Sequence, residues 1–148
     1  MSQYPLPASS PKVYVIGQEG IGEELDLLGI PHLGGPADKD RRVTLAPGGA
    51  LRVDPEVGAV VVGFDQHINY YKIQYAQLCI NENPGCRFVA TNLDAVTHLT
   101  EEQEWAGNGA MVGAIKGAVN FCRIPLPHPL LSIACRYHVL TLLLLIIV

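Results

Sequence analysis

Apolar positions along this chain follow two periods. Lys12-Val13-Tyr14-Val15-Ile16 and Ala59-Val60-Val61-Val62 are short runs rich in β-branched residues, closed by Gly17 and Gly63. Such uninterrupted runs predict strands buried on both faces. Arg87-Phe88-Val89-Ala90-Thr91 predicts a further strand, running into the polar Asn92-Leu93-Asp94. Between the last two strands the period changes. Asn69 is a suitable N-cap, and Tyr71, Tyr75, Leu78 and Cys79 then recur at the spacing of one helix face, until Asn83-Pro84-Gly85 ends the helix. Ala59 to Thr91 therefore predicts a β-α-β unit with parallel strands and a right-handed crossover.

The flanking segments extend the pattern. Glu19 to Leu28 predicts a helix with Ile21, Leu25 and Leu28 on one face, acidic residues in its first turns and Gly29 in the C′ position. Ile30 to Leu33 is a candidate short strand. Gly34 to Glu56 is rich in glycine, proline and charge, with one candidate edge strand at Val43-Thr44-Leu45. A long polar loop is expected from Thr91 through Gly109, then a short helix over Ala110 to Ala118. The expected fold class is α/β, a small parallel or mixed sheet with flanking helices, plus an irregular apolar C-terminal tail.

Composition narrows the function classes. At 148 residues, 49% hydrophobic and 16% charged, the chain has the makings of one globular domain. Its net charge of −4 supplies no basic patch for nucleic acid. None of Cys79, Cys86, Cys122 and Cys135 forms a CxxC pair, so reduced, buried thiols are expected rather than a disulfide framework. Residues 1–11 lack the basic and apolar regions of a secretory signal and read as a disordered leader. Residues 119–148 hold Arg123 and Arg136 but no acid, open with a proline-rich stretch and end nearly all apolar. With Arg136 and His138 inside it, that tail is a poor membrane span. Because it also shows no period, a core element is no better supported; a non-native terminus is the preferred reading on the strength of a family resemblance.

Candidate chemistry is sparse. Gly17, Gly20 and Gly22 stand in the order GxxGxG rather than the dinucleotide-binding GxGxxG, so a strand-to-helix turn is the better reading. Asp38-Lys39-Asp40 is an acid-x-acid pair, but it follows a Gly-Pro loop rather than a buried strand end, and a solvated charged loop is expected. No histidine pair has helical ligand spacing, so a structural metal site is not expected. Ser9 and Ser10 have no strand-to-helix elbow. What remains is Gly63-Phe64-Asp65-Gln66-His67 and Asn92-Leu93-Asp94, just past the carboxyl ends of neighbouring parallel strands, where open α/β sheets place ligand crevices. Asp65 and Asn92 are the crevice candidates. The competing reading is that Asp65 and Asn69 cap the next helix while Asn92 and Asp94 turn the chain.

Three blocks carry a resemblance: 12–25 (KVYVIGQEGIGEEL), 60–100 (VVVGFDQHINYYKIQYAQLCINENPGCRFVATNLDAVTHLT) and 101–117 (EEQEWAGNGAMVGAIKG). They are similar to plant-type phosphoglycolate phosphatases of the haloacid-dehalogenase-like superfamily, near its 4-nitrophenylphosphatase and pyridoxal phosphatase branch. The resemblance implies that residues 12–118 correspond to the C2-type α/β cap, inserted in a core that holds the catalytic aspartates, Ser/Thr, lysine and Mg²⁺ ligands. None of those core motifs is found here, and Asp38 and Asp40 fall within the cap, so no catalytic residue and no metal ligand is carried over. In the complete enzymes an aspartate attacks the phosphoryl group, Mg²⁺ neutralises its charge and a second aspartate protonates the leaving alkoxide. The reaction hydrolyses 2-phosphoglycolate to glycolate and phosphate, a step of photorespiration. By the same resemblance Asn92 to Asn108 is the substrate-specificity loop, with Asp94, Thr97 and His98 facing the active site. A truncated, inactive form is expected, cytoplasmic as it stands or chloroplast-targeted in a longer version. The expected partners are a small phosphate ester, a second cap in a homodimer, or a full-length phosphatase in a mixed dimer. A tail-anchored membrane protein is the weaker alternative.

Overall fold

The computed structural model describes residues 11–119, so expectations for residues 1–10 and 120–148 lie outside it. The element order is β1 (Lys12–Ile16), α1 (Glu19–Leu27), β2 (His32–Gly34), a 3₁₀ turn (Gly35–Asp38), β3 (Val57–Val62), α2 (Tyr70–Glu82), β4 (Arg87–Ala90), β5 (Val96–Thr97), β6 (Trp105–Ala106) and α3 (Asn108–Ala118). β1 to β4 form a parallel sheet in the order β2-β1-β3-β4, and β5 and β6 pair antiparallel as a separate hairpin.

Strand alternation divides the sheet between two cores. Tyr14, Ile16, Val60 and Val62 point to the face covered by α2 and α3, meeting Tyr71, Tyr75, Ala76, Cys79, Val112 and Ile115. Val13, Val15, Ala59 and Val61 point to the other face, where α1 supplies Leu25 and the following turn supplies Ile30. β1 and β3 are thus buried on both sides, as their unbroken apolar runs require. Among the described residues no helix is long and apolar enough to cross a membrane.

The caps explain the boundaries. Asn69 accepts from the Lys72 amide and starts α2. α1 ends in a Schellman turn: Gly29 has φ +66°, its amide donates to Asp26, and the Ile30 amide donates to Leu25. That turn uses Ile30 as the apolar residue folded back on Leu25, which is why β2 begins at His32 rather than Ile30. Two further expectations need correction. Val43-Thr44-Leu45 forms no strand; Val43 reaches the core while Leu45 is 82% exposed. The segment is held instead from both ends of α2, by the Asn69 side chain on the carbonyls of Asp38 and Lys39 and by Asn83 on those of Asp54 and Val57. The polar stretch after β4 is not one open loop, since it contains the β5–β6 hairpin, and α3 starts at Asn108, two residues before Ala110.

Candidate functional site

The carboxyl ends of β3 and β4 lie side by side, with Val62 opposite Ala90. From there Thr91-Asn92-Leu93-Asp94 leads into the β5–β6 hairpin, and the hairpin returns directly to the first turn of α3. Asn108 sits at this junction, buried, and its Nδ2 donates to the Val62 carbonyl (3.1 Å), the Asn92 carbonyl (2.9 Å) and the Thr91 Oγ1 (3.3 Å). The Gly109 amide donates to the Asp94 carbonyl at 2.8 Å and the Gly107 amide to the Ala95 carbonyl at 2.9 Å. Both ends of the hairpin are therefore seated on α3.

The expected site residues divide. Asn92, Asp94, Thr97 and His98 share this one segment. The Asn92 Nδ2 donates to the Asp94 carboxylate at 2.6 Å, and Thr91 Oγ1 donates to the Asn92 Oδ1 at 3.2 Å. Thr97 is half-buried in β5 opposite Trp105. His98 is 74% exposed at the side chain, with Nε2 3.8 Å from a Glu104 carboxylate oxygen. The Trp105 indole N–H donates to Thr100 at 3.0 Å across the hairpin. Leu93, Val96, Leu99 and Trp105 are all exposed beside these polar groups. The segment offers hydrogen-bonding groups, an imidazole and apolar surface, which suits recognition and enclosure of a small polar molecule.

Asp65 does not face this crevice. It is buried beneath α2, where one carboxylate oxygen accepts from the Lys72 ammonium at 2.6 Å and the other from the His67 amide at 2.9 Å. The Lys72 side chain is fully buried. Burial of a lysine requires such a partner, because an unpaired charge in the interior is costly. The pair ties the end of β3 to the first turn of α2; Asn69 caps that helix, as the competing reading held, while Asp65 accepts from the His67 amide in the turn before it. Nothing in the apolar spacing of α2 signalled a buried Lys72; the one clue was its position seven residues after an aspartate at a strand end.

Asp38 also departs from expectation. It is buried rather than solvated, accepting from the Tyr14 hydroxyl at 3.0 Å and from Arg41 at 3.3 Å. Arg41 in turn lies 4.5 Å over the Tyr71 ring. Burial, reinforced by the Asp38 charge, pushes the Tyr14 phenol far above its usual range. A groove of about 370 Å³ opens beside this cluster, lined by Tyr14, His32, Asp38, Arg41, Tyr71 and Tyr75 among others. Asp38 is fully engaged in holding the 3₁₀ turn to the sheet.

No family model matches the chain. It is 64% identical over 107 residues to phosphoglycolate phosphatase 1A, chloroplastic, of Arabidopsis thaliana, a match covering 72% of this chain and 30% of that protein. It is 54% identical over 107 residues to phosphoglycolate phosphatase 2 of the same plant, covering 72% of this chain and 36% of the relative. The chain thus spans about a third of the length of these relatives. Among solved structures, a hypothetical protein of Pyrococcus horikoshii OT3 superposes with a TM-score of 0.55 at 31% identity, covering 76% of this chain and 38% of that one. A p-nitrophenyl phosphatase of Archaeoglobus fulgidus gives 0.51 at 28% identity, covering 73% and 33%. Over these shared residues the chain is similar to phosphoglycolate phosphatases, and its solved neighbours include a p-nitrophenyl phosphatase of the haloacid-dehalogenase-like superfamily.

Proposed function

We propose that residues 12–118 are the cap of a phosphoglycolate phosphatase-type hydrolase: a lid that closes over a small phosphate ester, while phosphoryl transfer belongs to a core these residues do not supply. The observation that carries this reading is the 64% identity to a phosphoglycolate phosphatase over 107 residues. The β5–β6 hairpin supports it, since Asp94, Thr97 and His98 lie in or beside the first strand of that one hairpin. In this role His98 and Thr97 offer hydrogen bonds to the ester's acid end, and Trp105 and Leu99 exclude water on closure. The chloroplastic relative extends the proposal to a chloroplast compartment for a targeted form.

Phosphatases of this superfamily generally use Mg²⁺. The described residues do not fit that ion: no group of three or more His, Cys, Asp or Glu among them could hold a metal, and the buried Asp38 and Asp65 are both committed to protein partners. No step is therefore assigned to a metal on these residues.

A second reading, a non-catalytic module that associates with the full-length phosphatase or with its own copy, is favoured by the exposed apolar set Leu93, Val96, Leu99 and Trp105. One preparation tests both. Purified chain with Mg²⁺ and 2-phosphoglycolate should release no more phosphate than a heat-killed control; turnover would overturn the lid-only reading. Mixed with full-length phosphoglycolate phosphatase, it should co-elute on a sizing column if the second reading holds. Elution as monomer alone at micromolar concentration would exclude that association.

A further inference from the structure

We infer that Asn108 is the positioning residue for the 92–107 segment, the group that sets where the proposed substrate-reading hairpin stands relative to the sheet. The inference rests on the cap reading for the segment's purpose, but the geometry is independent of it. One side-chain amide reaches the last carbonyl of β3, the hydroxyl that follows β4 and the carbonyl at the start of the segment. Three structural pieces that are distant in sequence, at Val62, Thr91–Asn92 and Asn108, converge on a single planar NH₂. Its orientation is determined: the Val62 and Asn92 carbonyls can only accept, so a flipped amide would set Oδ1 against two oxygens. Oδ1 consequently points away from them and has no hydrogen-bond partner among the described residues.

The flanking glycines fit the same role. A Cβ at Gly107 would overlap the Asp94 carbonyl oxygen, and a Cβ at Gly109 would lie 2.8 Å from that of Leu93. The Gly107-Asn108-Gly109 backbone is thereby pressed against Leu93–Asp94 with no side chain between them, and the Asn108 amide locks the approach. Serine or threonine at this position would lack the reach and the second donor proton. A residue serving only the α3 core would need neither the three acceptors nor the two close approaches.

The test is amide hydrogen exchange on the full chain, comparing the unaltered protein with Asn108→Asp. The variant has the same shape but at neutral pH presents an acceptor-only carboxylate to three oxygens. The amides of Gly107, Gly109 and the β5–β6 pairs should exchange roughly tenfold faster, the loss of about one net hydrogen bond, while β1 and the middle of α2 keep their protection. Acidification that protonates the carboxyl restores one donor, so protection of 92–107 should recover towards the unaltered value at low pH, a response a cavity or packing defect would not give. Unchanged exchange in 92–107, or a uniform rise across β1 and α2, overturns the inference. Should the variant not fold, the unaltered chain decides. The Asn108 Nδ2 proton pair should exchange far more slowly than that of exposed Asn81, and equal rates would overturn the assignment. Since every readout is order rather than hydrolysis, this result stands apart from the turnover test.

Discussion

Single residues carry the long-range order of this fold. Lys72 and Asp65 are the sharpest case, a fully buried ammonium on a buried carboxylate at 2.6 Å. Removing one member of such a pair leaves an uncompensated interior charge and costs about 3–5 kcal/mol, whereas replacing both with neutral groups costs far less. Lys72→Met should therefore lower the urea midpoint severely. Adding Asp65→Asn, which keeps an acceptor for the His67 amide, should recover much of the loss. A double-mutant cycle by urea unfolding measures this, and simple additivity of the two changes would argue against coupling. The helical period of α2 was readable in sequence, but Lys72 stands among its buried residues because of a partner seven positions away, which periodicity does not see.

At the scale of elements, the hairpin and α3 depend on each other. β5 and β6 have two residues each, too short to hold together in water without a neighbour. Their support is the backbone of Leu93–Asp94 packed on Gly107–Gly109. Gly107→Ala should therefore destabilise by about 1–3 kcal/mol, the usual cost of forcing atoms into a filled space. Gly113→Ala, on the open side of α3 with nothing nearby, should instead stabilise by about 0.5–1 kcal/mol through chain entropy. Paired thermal unfolding curves of the two variants check the opposite signs. Exposed Trp105 bonds Thr100 across the same hairpin, so its fluorescence should shift in the first variant and not in the second.

The molecule as a whole should be stable over a window bounded by its buried phenols and thiols on one side and an ion pair on the other. Burial pushes the Cys79 thiol up to about 12 and that of Cys86 up to about 11, and it raises Tyr14, Tyr71 and Tyr75 as well. Raised values mean that this stability is fully present below the unfolded values, about 8.5 for Cys and about 10 for Tyr, and is lost as pH rises past them. On the acid side the Lys12 ammonium, hydrogen-bonded to Asp54, holds that carboxyl below its usual range. Its contribution is present above about pH 4 and fades as pH falls further. Urea midpoints measured from about pH 3 to about pH 10 should form a plateau with a falling alkaline limb from roughly pH 8.5. Asp54→Asn should flatten the acid limb alone, and an alkaline limb absent from such a series would contradict the thiol and phenol assignment.

Sequence by itself determined the local elements and the resemblance to the phosphatases. The unbroken runs at β1 and β3, the helix face of α2, the Gly29 turn and the Asn69 cap are short-range patterns, and each is complete within a few residues. The GFD, NPGC, ATNLDAVTHLT and EWAG blocks were likewise legible because a lineage is written in contiguous residues. Tertiary structure alone decided the fate of the polar groups. Asp38 is buried because Tyr14 and Arg41 come to it, Asp65 is turned inward because Lys72 does, and Asn108 joins three strands and turns that are far apart in the chain. A polar side chain has no preferred place until its hydrogen-bond partners are assembled, so its role becomes readable only when the fold has brought them together.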